Sequence, residues 1–190
     1  MKLIVRLALL CALTSTASAA DTSRVRQEDD IHEAVLRYQF KDYQLQHEHE
    51  KTASCYCVSI GETEPTDPSD NFLRRFNYYS PSVRRASACD DRDGGVVEKH
   101  TANAAVIFNI GSITWVSDSA VTVEGSYVEG NVGAVGYLYR VNREKRKWKV
   151  ESAEMRWISQ IGKGPGLAKL RVADSNWTYV SIVLKEGLIK

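Results

Sequence analysis

Ala120-Val121-Thr122-Val123-Glu124-Gly125-Ser126-Tyr127-Val128-Glu129 places Val121, Val123, Gly125 and Tyr127 on one parity and Thr122, Glu124 and Ser126 on the other. Side chains on a strand point alternately to opposite faces, so this run reads as a strand with one covered face and one wet face. The next runs repeat the pattern. Val135, Tyr137, Tyr139 and Val141 make a matching row within Ala134–Arg143, and Trp148 and Val150 continue it within Lys147–Ile158. Upstream, strand-like runs cover Val83–Cys89, Val96–His100, Ala104–Ile110 and Ile113–Ser117, separated by Gly, Asp or Asn turns. The links between them are too short for crossover helices, which predicts antiparallel pairing.

A sheet with one apolar face needs a cover. Ile31, Ala34, Val35 and Tyr38 recur at helical spacing, with Arg37, Lys41 and Asp42 off that stripe. Asp30 and Glu33 have the spacing of a capping box, so a helix of about three turns is expected to start there. A second, short helix is expected after Asp67, with Asp67 as cap, Pro68 at its first position and Phe72, Leu73 and Phe76 on its buried side. Ser54–Ile60 reads as a first strand, with Tyr56, Val58 and Ile60 toward one face. The fold class is therefore α+β: an antiparallel sheet covered by an N-terminal amphipathic helix and a second short helix.

The ends of the chain read differently. Met1–Arg6 carries two positive charges, Leu7–Leu13 is unbroken apolar, and Ala17-Ser18-Ala19 offers the small side chains that a signal peptidase accepts. Crossing a bilayer takes about 20 apolar residues, and this segment has roughly half of that, so residues 1–20 are expected to be a cleaved signal peptide and not an anchor. Residues 21–29 read as a flexible leader, 30–160 as a single domain and 161–190 as a C-terminal tail. In that tail the β-like run Trp177–Leu184 either adds an edge strand or trails.

Cleavage would remove Lys2 and Arg6 from 25 basic residues set against 24 acidic ones, turning a formal charge of +1 into −1. A nucleic-acid binder carries a basic excess that displaces counterions from phosphates, so no nucleic-acid partner is expected. An exported chain, periplasmic or secreted, meets oxidising conditions, which makes Cys55, Cys57 and Cys89 a disulfide question. Cys55 and Cys57 share one face of the first strand and either could reach Cys89. We favour Cys57 with Cys89, a bridge worth roughly 3 to 4 kcal/mol by loop closure. Structural zinc prefers wider Cys spacing and a fourth ligand, so no metal is expected, and no cofactor.

The opening helix Ile31-His32-Glu33-Ala34-Val35-Leu36-Arg37-Tyr38, the short second helix, the long strands and Arg146-Lys147-Trp148-Lys149-Val150 at the start of the last strand resemble the nuclear transport factor 2-like (cystatin-like) α+β cone. The resemblance spans about residues 30 to 158 and implies a curved sheet. The stretches Asp67–Phe76 and Ser82–Cys89 are also similar to uncharacterised exported bacterial proteins. Members of the cone fold include isomerase-like enzymes, dehydratases and binding modules, so the fold selects no single function.

The chain lacks a Gly-rich phosphate loop, a His-Glu-x-x-His and a Gly-x-Ser-x-Gly, which removes the commonest nucleotide, zinc-protease and serine-hydrolase readings. His47-Glu48-His49-Glu50 has alternating histidines that could hold a metal, but two adjacent ligands grip weakly, and the segment reads as a solvated loop. His32 reads as exposed. Tyr38, Trp115, Tyr127 and Tyr137 are the expected lining of an apolar pocket between sheet and helices. Glu124 lies on the wet parity and Asp118 in a turn, so neither they nor Glu154 receives a catalytic role. The basic run Arg143–Lys149 and the pairs Arg74-Arg75 and Arg84-Arg85 suit either an acidic partner or a charged edge that resists pairing. The expected function is an exported binding or interaction module that takes a small apolar ligand or a protein partner. The alternatives are an isomerase or lyase using a buried carboxylate and a tyrosine, and a structural envelope component.

Overall fold

The computed structural model describes residues 16–47, 53–92, 95–129, 133–161, 168–172 and 178–180. Helix α1 (Thr16–Gln46) is followed by strand β1 (Cys55–Ile60), helix α2 (Asp70–Leu73) with a 3₁₀ turn (Arg74–Phe76), and β2 (Ser82–Arg85). A second 3₁₀ turn (Ala86–Ala88) leads into the hairpin β3 (Cys89–Arg92) and β4 (Gly95–Glu98). The long strands are β5 (Ala105–Ser117), β6 (Ala120–Glu129), β7 (Gly133–Glu144) and β8 (Lys147–Ile161), followed by β9 (Ala168–Val172) and β10 (Thr178–Val180). The residues before Thr16, most of the expected signal peptide, and Glu48, His49 and Glu50 of the segment read as a solvated loop lie outside the described residues. Among the described residues no helix is long and apolar enough to cross a membrane.

The fold is α+β, but its sheet is mixed. Eight strands run in the order β10-β9-β8-β7-β6-β5-β1-β2, and β3–β4 form a separate ladder. From β5 through β10 each pair is antiparallel, as expected, whereas β1 pairs parallel with both β5 and β2. The expectation of a wholly antiparallel sheet fails at these three strands for a topological reason. Residues 61–81 and 86–104 are long enough to carry the chain back to the end of the sheet where β1 began, which is what a parallel pair requires.

Parallel strands are usually buried on both faces, and β1 is. Tyr56 and Val58 join the core under α1, while Cys55 and Cys57 join a second buried cluster with Cys89, Val96 and Ala105 beneath the β3–β4 hairpin. Along β6 the expected parity holds: Val121, Val123 and Tyr127 are buried and Glu124 is exposed.

Helix α1 differs from expectation at its start. It runs through residues 21–29 and past Asp30, so Asp30 is not a cap. Its carboxylate instead accepts a hydrogen bond from Arg75 Nη1 at 2.7 Å, and Glu33 accepts one from the same nitrogen at 2.9 Å. The apolar stripe also continues past Tyr38: Ile31, Val35, Leu36, Phe40 and Tyr43 are all buried against the sheet. Helix α2 is capped by Ser69, whose Oγ accepts from the Phe72 N–H at 3.2 Å. The expected cap, Asp67, accepts from the Ser87 N–H at 2.9 Å instead. That bond turns the chain at Ala86–Ala88, and the expected single strand Val83–Cys89 is accordingly split between β2 and β3.

In the expected C-terminal tail, β9 pairs with β8 and β10 with β9, so part of the Trp177–Leu184 run supplies an outer strand. The gap expected between Ile110 and Ile113 is a register shift inside one strand, β5.

Candidate functional site

Three of the four expected pocket residues belong to one aromatic layer between α1 and strands β5–β7. Tyr38 meets Tyr139 edge-on at 5.8 Å, Tyr127 stacks on Tyr137 at 6.3 Å, and Tyr43 meets Tyr127 edge-on at 5.6 Å. Phe108, Phe40 and Tyr56 extend the layer toward β1, with Phe40 and Phe108 at 4.9 Å and Phe40 and Tyr56 at 4.8 Å. These rings touch one another in the layer where the sequence suggested an apolar pocket. Burial pushes the phenols of Tyr127 and Tyr139 well above the usual tyrosine range, and that of Tyr56 up to about 12. They remain protonated donors at any physiological pH.

The fourth residue, Trp115, stands apart from this layer, near the turn between β5 and β6. Its ring lies edge-on to Trp148 at 5.7 Å, and its indole Nε1 is buried with no hydrogen-bond partner among the described residues. The turn is tied to β7 by the Arg143 N–H, which donates to the Ser119 carbonyl at 2.8 Å. The early turns of α1 come alongside. Arg24, Gln27, Trp115, Val116, Asp118 and Arg143 line the resulting open groove of about 560 Å³. The Arg24 guanidinium sits 5.3 Å over the Trp115 ring and the Arg143 guanidinium 5.8 Å over Trp148. Such cation–aromatic contacts hold arginine heads in place while leaving their N–H edges able to donate. A second groove of about 440 Å³, lined by Glu33, Arg37, Arg146, Lys147 and Trp148, borders the same tryptophan pair.

Sequence reasoning found Trp115 but not its arginines. Arg143 belongs by its neighbours to a charged hairpin, and Arg24 falls in a stretch that reads as a leader, where nothing local signals an approach to a turn almost a hundred residues away.

At the opposite end of α1 a polar cluster forms where the helix meets the end of β6. His47 Nε2 lies 3.2 Å from Glu129 Oε1, His47 Nδ1 lies 2.9 Å from the Tyr43 carbonyl oxygen, and the imidazole stacks on Tyr43 at 4.2 Å. Burial, and then the hydrogen bond to Glu129, push the Tyr43 phenol up. The histidine expected in a solvated loop is thus partly buried against a carboxylate. Glu129 continues the covered parity of Val121, Val123 and Tyr127, and as the charged last residue of its strand it gave no local sign of facing the end of α1.

Three further expectations meet the structure here. His32 is buried, not exposed: it packs edge-on to Phe72 at 6.3 Å, and burial lowers its pKa to about 4. The extra length of α1 and the position of α2 against it explain the difference. Arg75 spans α1 through Asp30 and Glu33, while Arg74, Arg84 and Arg85 line a groove of about 970 Å³ with Asp70, Glu98 and His100. There Arg85 pairs with Asp70, and Arg84 lies 3.8 Å from Glu98. Cys57 and Cys89 form a disulfide with their Cα atoms 6.3 Å apart, and Cys55 is a buried thiol beside them.

The chain matches no protein-family model, no curated protein and no solved structure.

Proposed function

We propose that this chain is an exported, non-enzymatic interaction domain, and that it engages a protein partner through the groove at Trp115. The observation that carries this reading is the contrast between interior and rim. The layer between α1 and the sheet is packed with rings in mutual contact, which favours a partner held at the rim over a small apolar ligand enclosed in the core. The rim groove pairs aromatic surface with two guanidinium groups against the single carboxylate of Asp118. Aromatic and arginine side chains are the residue types that most often anchor protein interfaces. The partner chemistry that fits is a segment presenting carboxylates beside an apolar side chain.

Titrating the protein with an Asp/Glu-rich peptide while following tryptophan emission tests this. Saturable change that is lost in Trp115→Phe and weakened by added salt is expected. Equal response to a Lys-rich peptide, or none to either, would refute it.

The disulfide and the N-terminal pattern support export as part of the same proposal. The contacts that α1 makes with β5, β7 and β8 support the further reading that the sheet curves around the helix as a cone of the nuclear transport factor 2 type.

A second reading, proton transfer of the isomerase or lyase kind, draws on Glu129 with Tyr43 and His47. A carboxylate beside a protonated phenol is the pairing needed to remove a proton next to a carbonyl and stabilise the enolate. Deuterium uptake by a cyclic ketone in heavy water, abolished by Glu129→Gln, is its test.

A further inference from the structure

The second buried cluster, on the face of β1 away from α1, holds chemistry that the interaction reading does not use. Cys55, Cys57 and Cys89 are all buried, and their three Sγ atoms lie within 4.8 Å of one another. The arrangement follows from the strand period. Cys55 and Cys57 are two apart on β1 and project to the same side, and Cys89, the first residue of β3, faces both from the hairpin that covers them. The sulfur of Cys89 therefore sits between two possible partners on one strand.

We propose that Cys55 exchanges with the Cys57–Cys89 disulfide, so that the oxidised chain carries two interconverting bridges, Cys57–Cys89 and Cys55–Cys89. In the forward step the Cys55 thiolate attacks Cys89 Sγ, the Cys57–Cys89 bond breaks, and Cys57 leaves as the thiolate. Cys57 then takes up the proton that Cys55 released. One disulfide and one thiol are present before and after, so the step needs no oxidant or reductant. A disulfide bond is about 2.05 Å long. A sulfur already within 4.8 Å has a gap of about 3 Å left to close, a distance on the scale of a side-chain rotation.

Local charge sets the pace. Burial, and then the Glu98 carboxylate, push the Cys55 thiol up, while the Ser54 hydroxyl and the Arg84 guanidinium favour its thiolate. Exchange is therefore slow at neutral pH and hastened by mild alkali. Its consequence is mechanical: it shifts the tether of β3 by two residues along β1. The 3₁₀ turn Ala86–Ala88 immediately before Cys89 would shift with it, and Ser87, Ala88, Arg84 and Glu98 all line the large groove beside β2.

The test is non-reducing peptide mapping of the full-length oxidised protein. It is held folded at mildly alkaline pH, quenched in acid and alkylated before digestion. Two linked peptides, Cys57–Cys89 and Cys55–Cys89, are expected in the wild type, with the free-thiol label divided between Cys55 and Cys57. In Cys57→Ala the bridge should re-form as Cys55–Cys89 when oxidised glutathione is added, and in Cys55→Ala the Cys57–Cys89 peptide alone should appear, with neither of its cysteines labelled. A wild-type map with Cys57–Cys89 only and Cys55 fully labelled overturns the proposal. So does exchange that appears only after denaturant is added.

Discussion

A Cβ atom placed on Gly125 would lie 2.9 Å from Nε2 of Gln39. α1 sits close on the sheet at this point: Gln39 is 2% exposed, and the same Cβ would meet Tyr139 at 3.0 Å and the Asn109 carbonyl oxygen at 3.2 Å. Glycine is required here for space, not for its backbone freedom. Gly125→Val is accordingly expected to cost about 1 to 3 kcal/mol through overpacking, read as a lower urea midpoint. An unchanged midpoint would mean that the helix does not seat on β6 as described.

On the opposite side of β7, Trp157 lies over Gly136, where an added Cβ would overlap the indole. Gly136→Ala must displace that ring and is expected to cost about 1 to 3 kcal/mol. In a Trp157→Ala background the same change should cost much less. A double-mutant cycle in urea measures the difference, and additive losses would show that the two residues do not touch.

His32 predicts the pH dependence of stability. Its folded pKa is lowered by burial to about 4 from 6.5, so between those values the unfolded chain binds the proton and the folded chain does not. Stability therefore rises with pH across this window, and it falls as pH drops from about 6.5 to about 4, by an amount on the order of a few kcal/mol. His32→Leu should flatten that part of the curve, as read from urea midpoints at a series of pH values. A wild-type curve that is already flat there would mean that the ring is solvated.

The N-terminal reading makes its own prediction. Chain recovered from the exported fraction should begin at Ala20 or Asp21 by intact mass. A mass that still includes Met1–Ala19 would show that the segment is retained.

The legible parts of the fold were those set by strand period. β6 matches its expected bounds, Ala120–Glu129, because its two parities differ sharply in polarity. The pairing of Cys57 with Cys89 was favoured from position alone and is present. What did not show in the sequence depends on distant chain. Parallel pairing of β1 comes from where the long connections return, not from the composition of Cys55–Ile60. The burial of His32 depends on α2 reaching the helix, and its own neighbours give no sign of that. The site divided for the same reason. Tyr38 from α1 and Tyr127 and Tyr137 from the sheet join one aromatic layer, whereas Trp115 lies near a turn where Arg24 and Arg143 converge from stretches over a hundred residues apart.

The central claim is that the Trp115 groove is where this domain meets its partner. The most direct measurement places a photo-crosslinking residue at Val116, 67% exposed at the groove, and in a second protein at Met155, 45% exposed on β8 and not among the groove residues. Illumination in the producing cell should give one adduct of discrete mass from position 116 and none from 155, and Arg143→Glu should abolish it. No adduct from 116, or the same adduct from both positions, would contradict the account.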